Sequence, residues 1–136
     1  MLQRIQTIWL VLAAVCIFLT MQFSTYIGGH TDGVMHMLKG TENQLMTILT
    51  SMVGVATMIS IFLFKNRKLQ LRIVLVAFFL EFVLGYLYYK EISNLSIKGA
   101  FSFTGGLHIA FIVFLMLAMR GITNDDKLVK DSSRLR

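Results

Sequence analysis

One apolar stretch, residues 73–89, constrains the fold of this chain most strongly, because a single carboxylate, Glu81, stands at its centre. An ionisable side chain in so long an apolar run needs a hydrogen-bonding partner, a proton or water. The rest of the chain is also apolar: 56% of the 136 residues are hydrophobic and the mean hydropathy is +0.71. A soluble domain of this length has too little interior to bury that much apolar surface, whereas a lipid bilayer can accommodate it.

Three further apolar segments accompany this stretch, and the four together lie at about 5–23, 45–64, 73–89 and 103–119. Each approaches the length of about 17–25 residues that crosses a hydrocarbon core as a helix, in which all backbone groups are hydrogen-bonded internally. Residues 1–120 are therefore predicted to form an all-α integral membrane domain, with four transmembrane helices in an antiparallel bundle. The first segment lacks a small-residue cleavage site, which predicts a retained helix rather than a signal peptide.

The basic residues predict the orientation of these helices. The chain has 13 Lys and Arg residues, and an arrangement with both termini on one side leaves only three of them on the opposite side, namely Lys39, Lys90 and Lys98. Cytoplasmic loops of membrane proteins carry the excess of Lys and Arg, so both termini are expected in the cytoplasm. The net charge of +6 is thus explained by topology and lipid headgroups, and no nucleic-acid partner is predicted.

The connection at 24–43 is long for a helical hairpin, and it contains a Gly-rich turn with His30, Asp32 and His36. Imidazole and carboxylate are ligands of zinc and similar ions, so these three residues are the candidates for a metal site. Scattered His and Asp are also typical of ordinary Gly-rich turns, which we favour, and we predict neither a metal nor a cofactor. The single cysteine, Cys16, excludes an internal disulfide.

Small and hydroxyl-bearing residues mark the faces on which the helices are expected to pack. In the second segment Thr47, Thr50 and Gly54 fall on one side of a helix, and in the third segment Ala77 and Gly85 flank the acid. Such residues let membrane helices approach closely and hydrogen-bond across the interface. We therefore predict that these five residues form helix-packing faces. For the second segment, a polar lining opposite the acid is the sharper alternative.

Depth in the membrane selects the neighbours of Glu81. At a rise of about 1.5 Å per residue, Ser51, Thr57 and Cys16 lie at a similar depth, and His108 lies nearer the outer end of the fourth segment. The third and fourth segments are joined by a short connection, so they should be adjacent. We predict an intramembrane polar cluster of these five residues, with a contact between Glu81 and His108 that is direct or passes through one water.

Two interpretations of this cluster stay open. Glu81 is either a neutral acid that donates a structural hydrogen bond, or a functional group that serves as a proton relay or as a docking contact for another subunit's helix. His108 is either a hydrogen-bonded residue near the outer interface or a member of that relay. Because it is the only histidine within the four segments, haem ligation by two histidines of one chain is excluded.

The C-terminal tail, residues 121–136, is rich in charge, and Thr123 or Asn124 could cap a short helix there. Seven of its residues are expected to contact anionic lipid headgroups or a cytoplasmic partner: Asp125, Asp126, Lys127, Leu128, Lys130, Arg134 and Arg136. The mixture of acids and bases favours a specific fit over general attraction to lipid.

The two ends of the chain carry a resemblance to a known family. The chain opens with MLQRIQT and closes with DDKLVK followed by RLR, around four membrane segments. With these features it resembles, over its whole length, the small membrane proteins of Bacteroidota catalogued as domain of unknown function 4293. The resemblance implies four helices in the bacterial inner membrane and no assigned activity. Ser133 stands where the family usually has an Asp, so charge pairing at that position is not carried over.

No catalytic motif accompanies this architecture, since the sequence lacks a phosphate-binding loop, a nucleophile elbow and a zinc-protease helix. We therefore predict a non-enzymatic inner-membrane protein, an accessory or scaffolding subunit of a larger complex whose partners are the lipid bilayer and other integral membrane subunits. The alternative is a small proton-linked transporter or channel subunit that uses Glu81 and His108.

Overall fold

The computed structural model describes residues 2–29, 35–41, 43–95 and 97–134. Four helices dominate this part of the chain: α1 (Leu2–Gln22), α2 (Gln44–Phe62), α3 (Arg67–Asn94) and α4 (Gly106–Arg134). All four are long and apolar enough to cross a membrane, which confirms the predicted helices and indicates a multi-pass membrane protein. No more than 39% of any span is buried inside the bundle, so most of the apolar side chains face outward, as a lipid-exposed surface requires.

The helices form an antiparallel bundle in which each helix packs against its neighbours in sequence and α1 also packs along α4. Both ends of the described chain and the α2–α3 turn therefore lie together at what we call the terminal end. Side chains that face the centre recur at three- and four-residue spacings, the period of one helix face. Those of α3 are Gln70, Val74, Ala77, Glu81, Leu84 and Tyr88.

Helices α3 and α4 extend beyond the apolar segments that predict them. They have 28 and 29 residues, so at about 1.5 Å per residue each is roughly 42–44 Å long and projects beyond a hydrocarbon core of about 30 Å. The expected short helix in the tail is therefore not a separate element, because α4 continues to Arg134. Hydropathy marks only the part of a helix that lies in lipid, which is why both lengths were underestimated.

A small antiparallel sheet, which the sequence did not predict, covers the opposite end of the bundle, here called the sheet end. Its strands lie in the order β2–β1–β3, with β1 at Tyr26–Gly29, β2 at Met35–Leu38 and β3 at Ile97–Phe101. A 3₁₀ turn, Phe103–Gly105, leads from the sheet into α4. The two connections at this end were expected to be loops, but β1 joins them into one structure.

The sheet depends on contacts that a local sequence pattern does not reveal. The Thr25 N–H donates to the Leu38 carbonyl oxygen at 2.7 Å, and the Ser102 N–H donates to the Thr25 carbonyl oxygen at 3.0 Å. Strand β3 approaches β1 so closely at Gly99 that a Cβ there would lie 1.7 Å from the carbonyl oxygen of Ile27. Only glycine fits at that point of the sheet.

Candidate intramembrane polar site

The buried acid of α3 is paired with the histidine of α4. Glu81 is 3% exposed, and its Oε1 lies 2.6 Å from Nδ1 of His108. Of the two contacts predicted from helix depth, direct or through one water, the direct one is present. Glu81 stands midway between Arg67 and Asn94, about 20 Å from either end of α3 at 1.5 Å per residue.

Tyr88 packs on the imidazole and links the pair to the sheet end. Its ring meets that of His108 edge-on, with the centroids 4.9 Å apart and the planes inclined by 67°. The Tyr88 hydroxyl accepts a long hydrogen bond from Thr25 Oγ1 at 3.5 Å. A Cβ on Gly40 would lie 3.3 Å from that hydroxyl, so the glycine leaves room for it. Helical spacing alone places Tyr88 near Glu81. Thr25 and Gly40 are brought to Tyr88 by the folding of the sheet, which no sequence pattern predicts.

A carboxyl–imidazole contact of this length holds one proton between the two groups. The proton is carried by Nδ1 or by Oε1, and burial is least costly in the forms that leave the pair electrically neutral, namely an imidazolium beside a carboxylate or an imidazole beside a carboxylic acid. Glu81 Oε2 and His108 Nε2 have no hydrogen-bond partner among the described residues. These two atoms are the positions at which a further proton or polar group would join the pair.

The other members of the predicted cluster are not hydrogen-bonded to this pair. Ser51 and Thr57 each donate to the carbonyl oxygen four residues earlier in α2, both at 2.7 Å. Cys16 is buried in the hydrophobic core. A hydroxyl in a membrane helix readily satisfies itself within its own turn, so the predicted polar lining is corrected: hydrogen bonding joins only Glu81 and His108.

Most of the predicted packing residues face the interior of the bundle. Four of the five are buried or partly buried: Thr47, Thr50, Gly54 and Ala77. Gly54 permits a close approach of α1 and α2, because a Cβ there would lie 2.8 Å from the ring of Phe18. Gly85 is the exception, and its assignment to the packing face is wrong for this bundle. It is exposed, and a Cβ built on it has nothing within 4 Å.

Gly85 lies instead on an outward surface, which we call the aromatic face of α3. At about 100° per residue it shares one side of the helix with Phe82, Tyr86 and Tyr89. These three side chains are 54%, 64% and 70% exposed, respectively. Large rings therefore surround a backbone position that has no side chain of its own.

A second buried polar layer closes the terminal end, and each helix contributes one residue to it: Gln6, Ser60, Gln70 and Asp125. Gln70 Nε2 donates to the carbonyl oxygen of Ser60 at 2.9 Å, which joins α3 to α2. Gly121 of α4 lets Gln6 pack closely, because a Cβ there would lie 3.1 Å from Gln6 Cβ. This layer is not among the features predicted from the sequence. Each of its polar residues lies three or four positions from another buried residue of the same helix, and this spacing is the pattern in the sequence that indicates its burial.

On the α4 side, the core between the two polar levels is apolar. Four residues of α4, each at most 1% exposed, separate His108 from Asp125: Phe111, Leu115, Ala118 and Ile122. The separation along the helix is about 25 Å at 1.5 Å per residue. Within the described residues, packed apolar side chains therefore interrupt any polar path along the centre of the bundle.

Comparison with protein-family models assigns this chain to a known family. A family model with the description "Domain of unknown function (DUF4293)" matches residues 2–135. The chain belongs to the DUF4293 family. The resemblance carried by the two ends of the sequence is thus confirmed. No curated protein and no solved structure gives a significant match to this DUF4293 protein.

In the DUF4293 protein the charged tail lies against the start of α3. Asp125 is buried, and its main-chain oxygen accepts a hydrogen bond from Arg67 Nη1 at 2.6 Å. Its burial contradicts the prediction that Asp125 contacts lipid or a partner, whereas Lys127 and Leu128 of the same set are exposed. The remaining basic residues of the predicted contact set lie outside the described residues, either as side chains or entirely: Lys130, Arg134 and Arg136.

The tail also helps to form a groove at the terminal end, between the α2–α3 turn and the extension of α4. We call it the basic groove, and its lining residues are Phe64, Lys65, Asn66, Arg67, Lys68, Asp126 and Val129. Three of these side chains are cationic and one is anionic. The groove therefore combines a positive charge with apolar walls.

The metal candidates are not placed by the structure. His30 and Asp32, as well as the side chain of His36, lie outside the described residues. Among the residues that are described, no three His, Cys, Asp or Glu side chains form a group that could hold a metal ion. A metal site in the 24–43 connection remains a sequence-based candidate.

Proposed function

We propose that the DUF4293 protein is a non-enzymatic accessory or scaffolding subunit of a larger complex in the bacterial inner membrane, with both chain termini in the cytoplasm. The aromatic face of α3 is the observation that carries this proposal. Its occupant would be a transmembrane helix of another subunit.

The fit of small residues elsewhere in the bundle supports this assignment. Gly54 faces the ring of Phe18 and Gly121 faces Gln6, so each of these glycines receives a side chain from a neighbouring helix. The space over Gly85 receives none within the described structure. Because lipid tails are as apolar as the helices, association in a membrane depends on close packing and hydrogen bonds, and exposed small residues are typical of such contacts.

The aromatic residues around that glycine add specificity. Phe82 and Tyr89 lie about one turn below and above Gly85, so they form the two walls of a notch that a ridge on another helix could enter. The phenol of Tyr86 is 64% exposed beside it. Tyrosine hydroxyls that become buried usually take a hydrogen-bond partner, which a subunit helix can supply and a lipid tail cannot.

The distribution of charge supports the orientation. The α2–α3 turn carries Lys65, Arg67 and Lys68 at the terminal end, on the same side as the basic tail. Cytoplasmic loops attract such residues, which favours a cytoplasmic terminal end and a sheet end on the opposite side of the membrane.

Site-specific photo-crosslinking in the native host tests the subunit proposal. A photoreactive phenylalanine analogue at Phe82 should give one discrete protein adduct. The matched control is the same analogue at Val76, which is equally exposed on α3 (53% against 54%) but points about 120° away. The control should give no protein adduct. Failure of both positions to capture a protein would overturn the proposal, and an adduct of twice the chain's mass would replace it with a homo-oligomer.

A second candidate function, proton-linked transport, is favoured by the Glu81–His108 contact and its two unpartnered atoms. The apolar core beyond the pair argues against a path through a single bundle, so transport would have to run between copies. Purified protein in liposomes that contain a pH-sensitive dye tests this candidate. The flux should vanish in Glu81→Gln and persist in Ser51→Ala. Equal flux in the wild type and Glu81→Gln would end it.

A further inference from the structure

We propose that the basic groove binds the phosphate group of an anionic phospholipid in the leaflet at the terminal end. This inference goes beyond the subunit assignment and holds whether or not α3 binds another protein. It also moves the expected lipid contact from the tail alone to a groove formed by the tail and the α2–α3 turn.

The groove has the charge that a phospholipid phosphate requires. Lys65, Arg67 and Lys68 face one acidic residue, Asp126, so the four side chains carry a net charge of +2. The first turn of α3 contains no acidic residue, and Asn66 makes no side-chain capping hydrogen bond to it. The partial positive charge of that helix end therefore adds to the field of the three cations.

The geometry of the groove is fixed by Arg67. Its guanidinium donates to the main-chain oxygen of Asp125 at 2.6 Å, which holds the start of α3 against the extension of α4. This hydrogen bond links the two walls of the groove. Lys65 and Lys68 are exposed at the opening and can reach a phosphate there.

Apolar surface beside the cations distinguishes a lipid from a free anion. Of the apolar residues that line the groove, Phe64 is 47% exposed just after α2, and Val129 is 52% exposed on the opposite wall. An acyl chain can cover such surface while its phosphate meets the lysines, because both parts belong to one molecule. Inorganic phosphate would leave the apolar part uncovered.

Titration of the purified protein in neutral detergent with dioctanoyl phosphatidylglycerol tests the proposal, with retained lipid counted by native mass spectrometry. The test variant is Lys65→Gln/Lys68→Gln. The matched control is Arg72→Gln/Arg120→Gln, which removes the same charge from exposed positions at the same end of the bundle but outside the groove and the predicted tail contacts. Each basic residue near a lipid surface contributes about fivefold to binding, so the test variant should bind roughly 30-fold more weakly and the control should stay within about threefold of the wild type.

Three outcomes would overturn this inference. Equal losses in the two variants would show general attraction between charge and lipid. Complete loss of phosphatidylglycerol binding in the presence of inorganic phosphate at the same concentration would assign the groove to a free anion. Equal retention of phosphatidylglycerol and phosphatidylcholine would show that the groove does not select an anionic lipid. A cytoplasmic protein would then replace the lipid as the proposed ligand.

Discussion

Removal of one member of the Glu81–His108 pair should destabilise the bundle more than removal of both. The carboxyl group is 3% exposed and its Oε2 already lacks a partner, so His108→Leu would leave both oxygens unpaired in apolar surroundings. Breaking a buried pair costs about 3–5 kcal/mol in soluble proteins, whereas hydrogen bonds between membrane helices couple by about 0.6–1.7 kcal/mol. The carboxyl can take up a proton, so the membrane value governs, and its burial and 2.6 Å contact place it near the upper limit.

We therefore expect His108→Leu to lower the free energy of unfolding by about 1.5–2 kcal/mol. The double variant Glu81→Leu/His108→Leu should be about as stable as the wild type, because apolar side chains replace both polar groups together. The measurement is a double-mutant cycle on purified protein, unfolded with dodecyl sulfate in mixed micelles and followed by far-ultraviolet circular dichroism. Ser51→Ala is the control, since that hydroxyl is bonded within its own helix, and it should change stability by less than about 0.5 kcal/mol.

Additive effects of the two single substitutions would refute this reasoning. A coupling energy below about 0.5 kcal/mol would mean that the two side chains do not stabilise each other in a membrane-like medium. The short contact would then be a consequence of how α3 and α4 pack, and not a cause of it.

Two further substitutions test how closely the backbone packs. Gly54→Ala places a methyl group 2.8 Å from the ring of Phe18 and should cost about 1–3 kcal/mol in the same unfolding assay. In Gly85→Ala the added methyl group meets open space, so stability should stay unchanged or rise by up to about 1 kcal/mol through the higher helix propensity of alanine. A larger loss of stability in Gly85→Ala than in Gly54→Ala would contradict this. Gly99→Ala would place a methyl group 1.7 Å from the Ile27 carbonyl oxygen, so it should remove hydrogen-exchange protection from β1 while the helices keep theirs; a protected β1 would refute the close approach.

The sequence was sufficient for the features that lipid dictates. Four apolar runs predict four helices because a bilayer offers the backbone no other way to satisfy its polar groups. Adjacency of α3 and α4, together with helix rise, was enough to bring Glu81 to His108. Both arguments use distances along a helix, which a sequence encodes directly.

Distances along a helix do not predict which face of the helix turns inward, or how the connections between helices pair with each other. The inward face of α3 passes through Ala77, Glu81, Leu84 and Tyr88, so Leu84 rather than Gly85 follows the acid into the core. A spacing of three or four residues fits both choices, and the packing of the neighbouring helices selects one. The three strands are four or five residues long, too short to show alternation, and their pairing joins segments far apart in sequence.

That pairing has a consequence for how the chain matures. The hairpin of β1 and β2 can form once α1 and α2 have been inserted, but its third strand is synthesised only after α3. Until β3 arrives, the outer edge of β1 presents unpaired backbone groups. The sheet can therefore be completed only after α3 and β3 have been synthesised, and its closure requires β1 and β3 to reach the same end of the bundle.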